Sequence, residues 1–269
     1  MILVPVVGYH SIGDRPREGG LRFCVAAGDF DEQMALLRER GHTPLTVSDY
    51  ADVLRSRAAL PDRPVVVTFD DGFADLASTA LPVLRRHRIT ATAFLITTHL
   101  PGPAPRPDGD FLSADEIADL RAAGIEIGSH GHSHRPLDCL TPAEARAEAQ
   151  LSRRLLEDRL GAAVRSFAYP YGYHGTAVRR AVRAAGYNCA CAVKNALSHP
   201  ADDVFAIARV LVERDTGAAG LDAILSGRGW PVAWRRERLR TKGWRVYRRL
   251  RWAVSGRGAP AGLAGSVGR

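Results

Sequence analysis

The sequence predicts an α/β fold with parallel strands, and three observations carry that expectation. Short apolar runs alternate with helical stretches over about 210 residues, which implies right-handed crossovers between parallel neighbours. About seven such runs favour a barrel, complete or incomplete. Two of them end abruptly in polar residues, Val65-Val66-Val67-Thr68-Phe69-Asp70-Asp71-Gly72 and Ile125-Glu126-Ile127-Gly128-Ser129-His130-Gly131-His132-Ser133-His134. In such folds chemistry is placed at the carboxyl ends of the strands.

Taken in order, the apolar stretch 2–8 opens the chain as a strand. Residues 11–28, rich in glycine, proline and charge, lack periodicity and read as a loop over or beside the active face. Helical patterns follow near 29–40 and 47–57, then a strand at 64–69, a helix near 73–87 and a strand at 91–96. The proline-rich stretch 100–110 reads as a second such loop. Ser113 and Glu116 form a capping box that starts a helix near 113–123. Thr141 and Glu144 form another, with Pro142 at the first helical position, for a helix that stops before Gly161. Strands at 125–128, 164–168, 187–193 and 204–212 and a helix near 174–185 complete the alternation.

A chain of 269 residues can bury a sizeable core, and 46% hydrophobic with 25% charged residues is ordinary for a globular protein. Its longest apolar runs are strand-sized, far short of a membrane span. No basic region followed by a long apolar segment opens it, so a cytoplasmic location is expected. Cys24, Cys139, Cys189 and Cys191 do not suggest a disulfide framework in a chain of this length. Cys189 and Cys191 share one side of a strand and read as small buried hydrophobes rather than ligands. The net charge of +8 is unevenly placed: residues 228–257 hold eleven Lys/Arg against one acid, Glu237, a balance of +10 that leaves −2 elsewhere. The expected organisation is therefore a catalytic domain over 1–227 and a basic tail over 228–269, partly helical and disordered after Gly256.

An Asp-Asp-Gly sequence at a strand end is equally a plain turn. Three histidines within five residues, coming straight off a buried strand, change the reading to a ligand set. On a helical turn His130 and His134 share a face and His132 points away, whereas in extended chain all three share a side. His130 and His134 are taken as ligands and His132 as a residue behind them or at the rim. One carboxylate with two imidazoles is a three-ligand set for a catalytic divalent metal with one position left open. A second carboxylate beside it supplies a base for the attacking water. A third run, Val164 to Ala168, ends in the turn Tyr169-Pro170-Tyr171-Gly172.

Thr-Phe-Asp-Asp-Gly, Ser-His-x-x-x-His and Phe-Ala-Tyr-Pro-Tyr-Gly, in this order, resemble the polysaccharide deacetylases with a NodB-homology domain, carbohydrate esterase family 4, over about residues 1–212. The resemblance implies a deformed (β/α) barrel of about seven parallel strands. It also implies hydrolysis of N-acetyl, sometimes O-acetyl, groups on amino-sugar polymers with a divalent ion, zinc foremost and cobalt or nickel as alternatives. By the same resemblance Asp70 is the catalytic base, and Asp71, His130 and His134 hold the metal. Tyr169, Pro170 and Tyr171 wall the acetyl pocket, the Tyr171 N–H helping to hold the oxyanion.

Two positions depart from the family pattern. Ala168 stands where an arginine usually tethers the base, and Arg209 is the candidate replacement. Leu197-Ser198-His199 matches the usual motif of the acid histidine but sits in a predicted loop. Val6-Val7-Gly8-Tyr9-His10 resembles members with an N-terminal Tyr-His, so His10 is taken as the acid.

All four tryptophans (Trp230, Trp234, Trp244, Trp252) lie in the basic segment, where they suit peripheral contact with an anionic membrane through 228–257. Nucleic acid, another protein, and a tail folded back on the barrel or simply solvated are the alternatives. Leu239, Val246, Tyr247, Leu250 and Val254 form one helical stripe, which the tryptophans do not share. The expected activity is metal-dependent N-deacetylation of an amino-sugar glycan or glycan intermediate. The rivals are an amidohydrolase of a small molecule and an inactive carbohydrate-binding module.

Overall fold

The computed structural model describes residues 2–14, 20–101, 110–234, 243–244, 246–249 and 251. The expected alternation is present. Strand β1 (Val6–Tyr9) leads to the short β2 (Ser11–Ile12) and β3 (Cys24–Val25), then to α1 (Ala27–Glu39), β4 (Thr43–Leu45) and α2 (Val47–Ser56). Next come β5 (Pro64–Phe69), α3 (Leu81–His87), β6 (Thr92–Leu95), α4 (Ala114–Ala122), β7 (Glu126–Ser129) and α5 (Pro142–Leu160). The remaining elements are β8 (Ser166–Ala168), α6 (Thr176–Ala184), β9 (Cys189–Val193), β10 (Ile207–Leu211) and α7 (Gly217–Ser226).

Seven of the described strands close a parallel barrel in the order β1-β5-β6-β7-β8-β9-β10, and β10 returns to β1 through Val7↔Val210 and Gly8↔Leu211. Strand β4 joins β5 at its amino end, where Leu45 faces Val66. Both capping boxes read from the sequence are formed, and Gly161 ends α5 in the left-handed region at φ 60°. The helix expected over 73–87 is interrupted. It passes through a π-turn at Leu76–Ala80 just before Pro82, whose missing N–H cannot bond four residues back. Segment 11–28 contributes β2 and β3, a parallel pair in which Ser11 faces Cys24. Residues 102–109, Leu239, Leu250, Trp252, Val254 and the end expected to be disordered lie outside the described residues.

Strand periodicity divides the core into two shells. Val65, Val67 and Phe69 pack outward under the helices with Phe30, Met34 and Leu84. Val66 points into the barrel with Val6, Phe94, Ala168, Cys189, Cys191 and Ile207. The two cysteines are thus buried filling, as expected, and burial pushes the Cys191 thiol up to about 12. At the amino ends of the strands α2 plugs the barrel. Its Ser48 N–H and Oγ–H donate to Glu126 at 3.1 and 2.5 Å, and Thr92 and Ser166 hydroxyls reach the same carboxylate at 2.8 and 2.7 Å. A carboxylate on a helix N-terminus is favourably placed.

The chain does not leave the barrel after residue 227: Leu197 N–H donates to Pro231 and Ala233 N–H to Leu197. Among the described residues no helix is long and apolar enough to cross a membrane.

The interior tolerates little extra volume. A Cβ on Gly128 would lie 2.6 Å from both the Phe94 ring and Ser166 Oγ. Gly128→Ala should therefore destabilise by about 1–3 kcal/mol, through overpacking. A thermal melt should show a drop of about 3–10 °C, and an unchanged melting temperature would contradict this packing.

Candidate metal centre

The site forms where β5 and β7 end. Adjacent residues on a strand face opposite sides, yet both carboxylates of Asp70-Asp71 reach the same opening. The backbone explains this. Gly72 N–H donates to the Asp70 carbonyl at 2.9 Å, closing a tight turn around Asp71, which lies at φ 71°. A Cβ on Gly72 would sit 2.8 Å from Leu95 Cδ2 at a φ of 79°, so this position needs glycine.

The 130–134 loop is fixed from three directions. His130 N–H donates to the Leu95 carbonyl at 2.8 Å, and Thr97 and Thr98 N–H groups to the carbonyls of Gly131 and His132. Ser133 donates its N–H and hydroxyl to Glu148 of α5 at 2.9 and 2.6 Å. His132 Nδ1 is hydrogen-bonded to the Thr97 hydroxyl at 2.8 Å, beside the ligand group rather than in it. His134 takes φ 55°, which turns its ring back toward Asp71.

Asp71 Oδ1 lies 3.5 Å from His130 Nε2 and 3.4 Å from His134 Nε2. One donor atom from each of the three falls within 4.8 Å of the others. His130 Nδ1 is 2.9 Å from the Ala168 carbonyl. Since a carbonyl only accepts, Nδ1 carries the proton and Nε2 presents its lone pair to the group. Burial pushes His130 down to about 3, which keeps the imidazole neutral. Two imidazole donors and one carboxylate, two of the three buried and His134 partly so, fit a divalent cation.

Asp70 is held apart from this trio by Arg209. The guanidinium donates to both carboxylate oxygens, at 2.7 and 2.8 Å, and to Thr68 Oγ1 at 3.1 Å. Arg209 is wholly buried and Asp70 nearly so. Burial alone would raise the Asp70 carboxyl, but the Arg209 charge and hydrogen bonds, with His130 and His10 adding to them, hold it well below the ordinary carboxylate range. Gly8 lies beside the pair: a Cβ there would stand 2.9 Å from Leu211 Cδ2 and in ordinary contact, at 3.8 Å, with Arg209 Nη1. Arginine is the residue for a planar two-bond pair of this kind.

His10 follows β1 next to Asp70, whose N–H donates to the Tyr9 carbonyl at 2.9 Å. Its ring stacks on Phe23 at 4.9 Å, and its buried Nδ1 has no hydrogen-bond partner among the described residues. His199 lies elsewhere. It sits next to Ser198, which pairs with Val4 at the amino end of the barrel, and both its ring nitrogens are used, by the Ala233 carbonyl and the Ala201 N–H.

The aromatic turn divides its residues. Tyr171, 45% exposed and at φ 59°, lies against His134 with ring centroids 4.7 Å apart, and Pro170 packs over Gly131. Tyr169 is not brought to the opening. It is wholly buried and its hydroxyl donates to the Phe205 carbonyl at 2.9 Å, so the side chain belongs to the core and does not line a pocket. Gly172, at φ 71°, would place a Cβ 2.3 Å from Val193, which fixes the turn against β9. Asp138, which sequence reading passed over, is buried four residues after His134 and ion-paired with Arg248. Its only sequence signal is its position after the histidines.

The family model for polysaccharide deacetylase matches residues 57–190, a span that contains Asp70, Asp71, His130, His134 and the aromatic turn and leaves out His10 and Arg209. The poly-β-1,6-N-acetyl-D-glucosamine N-deacetylase of Staphylococcus aureus (strain MRSA252) is 24% identical over 202 residues, 72% of this chain and 69% of that protein. The deacetylase PplD of Streptococcus pyogenes, solved in complex with acetate, superposes with a TM-score of 0.75 at 19% identity, covering 83% of this chain and 98% of that one. IcaB from Ammonifex degensii gives 0.70 at 26% identity, covering 83% and 97%. With the barrel, the motif order and the family match in agreement, the chain belongs to the polysaccharide deacetylases, hydrolases that act on carbon–nitrogen bonds other than peptide bonds.

Proposed function

We propose that the protein is a metal-dependent N-deacetylase of an amino-sugar glycan or glycan intermediate. The observation that carries this reading is one buried carboxylate held ionised by Arg209 beside a second carboxylate grouped with two histidines. The two have different duties. Asp71, His130 and His134 hold a divalent cation, zinc by the chemistry of the set. When bound, such an ion polarises an acyl oxygen and lowers the pKa of water. Asp70 takes the proton from the attacking water, and Arg209 keeps it a carboxylate and fixes its direction. His10 gives a proton to the departing amine; what supports this is its position at the end of β1, beside the strand end that carries Asp70. The Tyr171 N–H helps hold charge developing on the acetyl oxygen, and its ring walls the acetyl group. The N-acetylglucosamine polymer named for the Staphylococcus relative makes β-1,6-linked oligomers the first substrate to try.

The test is acetate release from N-acetylglucosamine oligomers by chelated protein before and after zinc or cobalt is restored. Release that returns with the metal, and is lost in His134→Ala together with metal retention, is expected. Release unaffected by complete chelation would overturn metal dependence. A protein that retains metal and releases acetate from none of the oligomers would overturn the glycan assignment.

A further inference from the structure

Past the barrel, Gly243, Trp244, Val246 to Arg249 and Arg251 are helical. This segment is pinned to the rim of the metal centre. Arg248 pairs with the buried Asp138 carboxylate, and its guanidinium lies over the Tyr173 ring, 3.4 Å from the centroid. Arg249 Nε donates to the Asp138 carbonyl at 2.6 Å. Tyr173 stacks on Tyr171 at 6.2 Å, and Tyr171 lies tilted against His134 at 4.7 Å. An unbroken row of side chains therefore links the segment to a residue of the metal group.

Its other side chains turn to solvent. Trp244 and Tyr247 stack on each other at 5.1 Å while 43% and 49% exposed, and Val246 between them in sequence is 58% exposed. This differs from the stripe read from the sequence, which left tryptophan out: three residues apart on a helix, Trp244 and the stripe residue Tyr247 are neighbours. Large aromatic side chains exposed together mark a contact surface. The surrounding segment, 228–257, carries eleven Lys/Arg and one acid. Cations interleaved with amphipathic rings fit the headgroup level of an anionic bilayer, where indole and phenol sit with one end apolar and one end wet.

We propose that Trp244, Val246 and Tyr247 form a docking face for an anionic lipid surface, and that the Arg248–Asp138 pin turns the catalytic opening toward that surface when the protein is docked. The substrates so favoured are glycans carried at the membrane. The docking itself does not depend on the deacetylase reading, and its test reads binding rather than turnover.

The four tryptophans all lie at or after residue 230, so intrinsic tryptophan emission reports this region of the full chain alone. With vesicles of phosphatidylcholine and phosphatidylglycerol the emission should shift to the blue and be quenched by brominated acyl chains. Phosphatidylcholine alone should give little of either, and raised salt should reverse the effect. Trp244→Ser with Tyr247→Ser should weaken partitioning at least about tenfold. A bimane label on Tyr171→Cys, in a Cys139→Ser background, should be quenched by brominated lipid, and one on Arg57→Cys, past α2 at the plugged end, should not. Three results would overturn docking: no spectral response to anionic vesicles, a response to a single-stranded oligonucleotide but not to vesicles, or undiminished binding by the double variant. Equal or reversed quenching of the two labels would overturn the orientation.

Discussion

Asp70→Asn should lower acetate release from the favoured oligomer by about 10²–10⁴-fold, the range supplied by a positioned general base. Zinc retention should stay unchanged, because Asp71, His130 and His134 supply the grouped donor atoms. The two readings separate the duties of adjacent carboxylates. Loss of both metal and activity would mean that Asp70 is itself a ligand, which the engagement of both its oxygens by Arg209 does not favour. The substitution also leaves Arg209, wholly buried, facing a neutral amide in place of its carboxylate partner. Stability must therefore be measured alongside activity, and the partner substitution shows how to separate them.

Arg209→Met should destabilise the protein by about 3–5 kcal/mol at neutral pH, because it strands the Asp70 charge inside the barrel. Adding Asp70→Asn should recover much of that loss, since two neutral side chains have no unpaired charge to bury, and should recover no turnover. The pH dependence has a definite sign. In the native protein the Asp70 pKa lies below its unfolded value, so its stabilisation is present at neutral pH and is lost as pH falls through the carboxylate range. Without Arg209, burial dominates and raises the carboxyl, so the variant's deficit is largest at neutral pH and narrows on acidification. The acid limb of the rate profile should move up in pH for the same reason. Denaturant melts and rate profiles from pH 4.5 to 8 check both. A deficit that does not vary with pH would mean that the arginine acts by packing alone.

What could be read from sequence follows from how each feature is encoded. The seven barrel strands announce themselves as β-branched or small apolar runs, and the helices α4 and α5 as capping boxes. Strands β2, β3 and β4 are two or three residues long, too short for any periodicity to register. Helix α7 begins Gly217-Ala218-Ala219-Gly220, a composition that hides its two buried anchors, Leu221 and Ile224. At the site, Asp70-Asp71 and His130 to His134 are contiguous, so spacing exposes them. Arg209 reaches Asp70 from 139 residues away, and its one local trace is a charge in the middle of Ile207-Ala208-Arg209-Val210-Leu211. Tyr169 and Tyr171 look alike in sequence. Only the left-handed backbone at Tyr171 sends one to the core and the other to the opening. Arg248 and Asp138 carry no motif at all, and their pairing is visible only once the chain has folded.

Three residues gathered around the opening, Asp71, His134 and Tyr171, occupy the left-handed region at φ 71°, 55° and 59°. Such a conformation disfavours a residue with a Cβ by on the order of 1 kcal/mol, most for the bulky ring of Tyr171 and least for aspartate. Glycine would relieve the backbone at each of these places and would delete a donor or a wall of the site. Selection for thermal robustness and selection for turnover therefore pull in opposite directions at these positions. A library screened only for survival at high temperature would drift toward glycine here and emerge sturdier and inert. Read in reverse, glycine at these three places in a chain with the same barrel would mark a protein that has kept the fold and given up the chemistry.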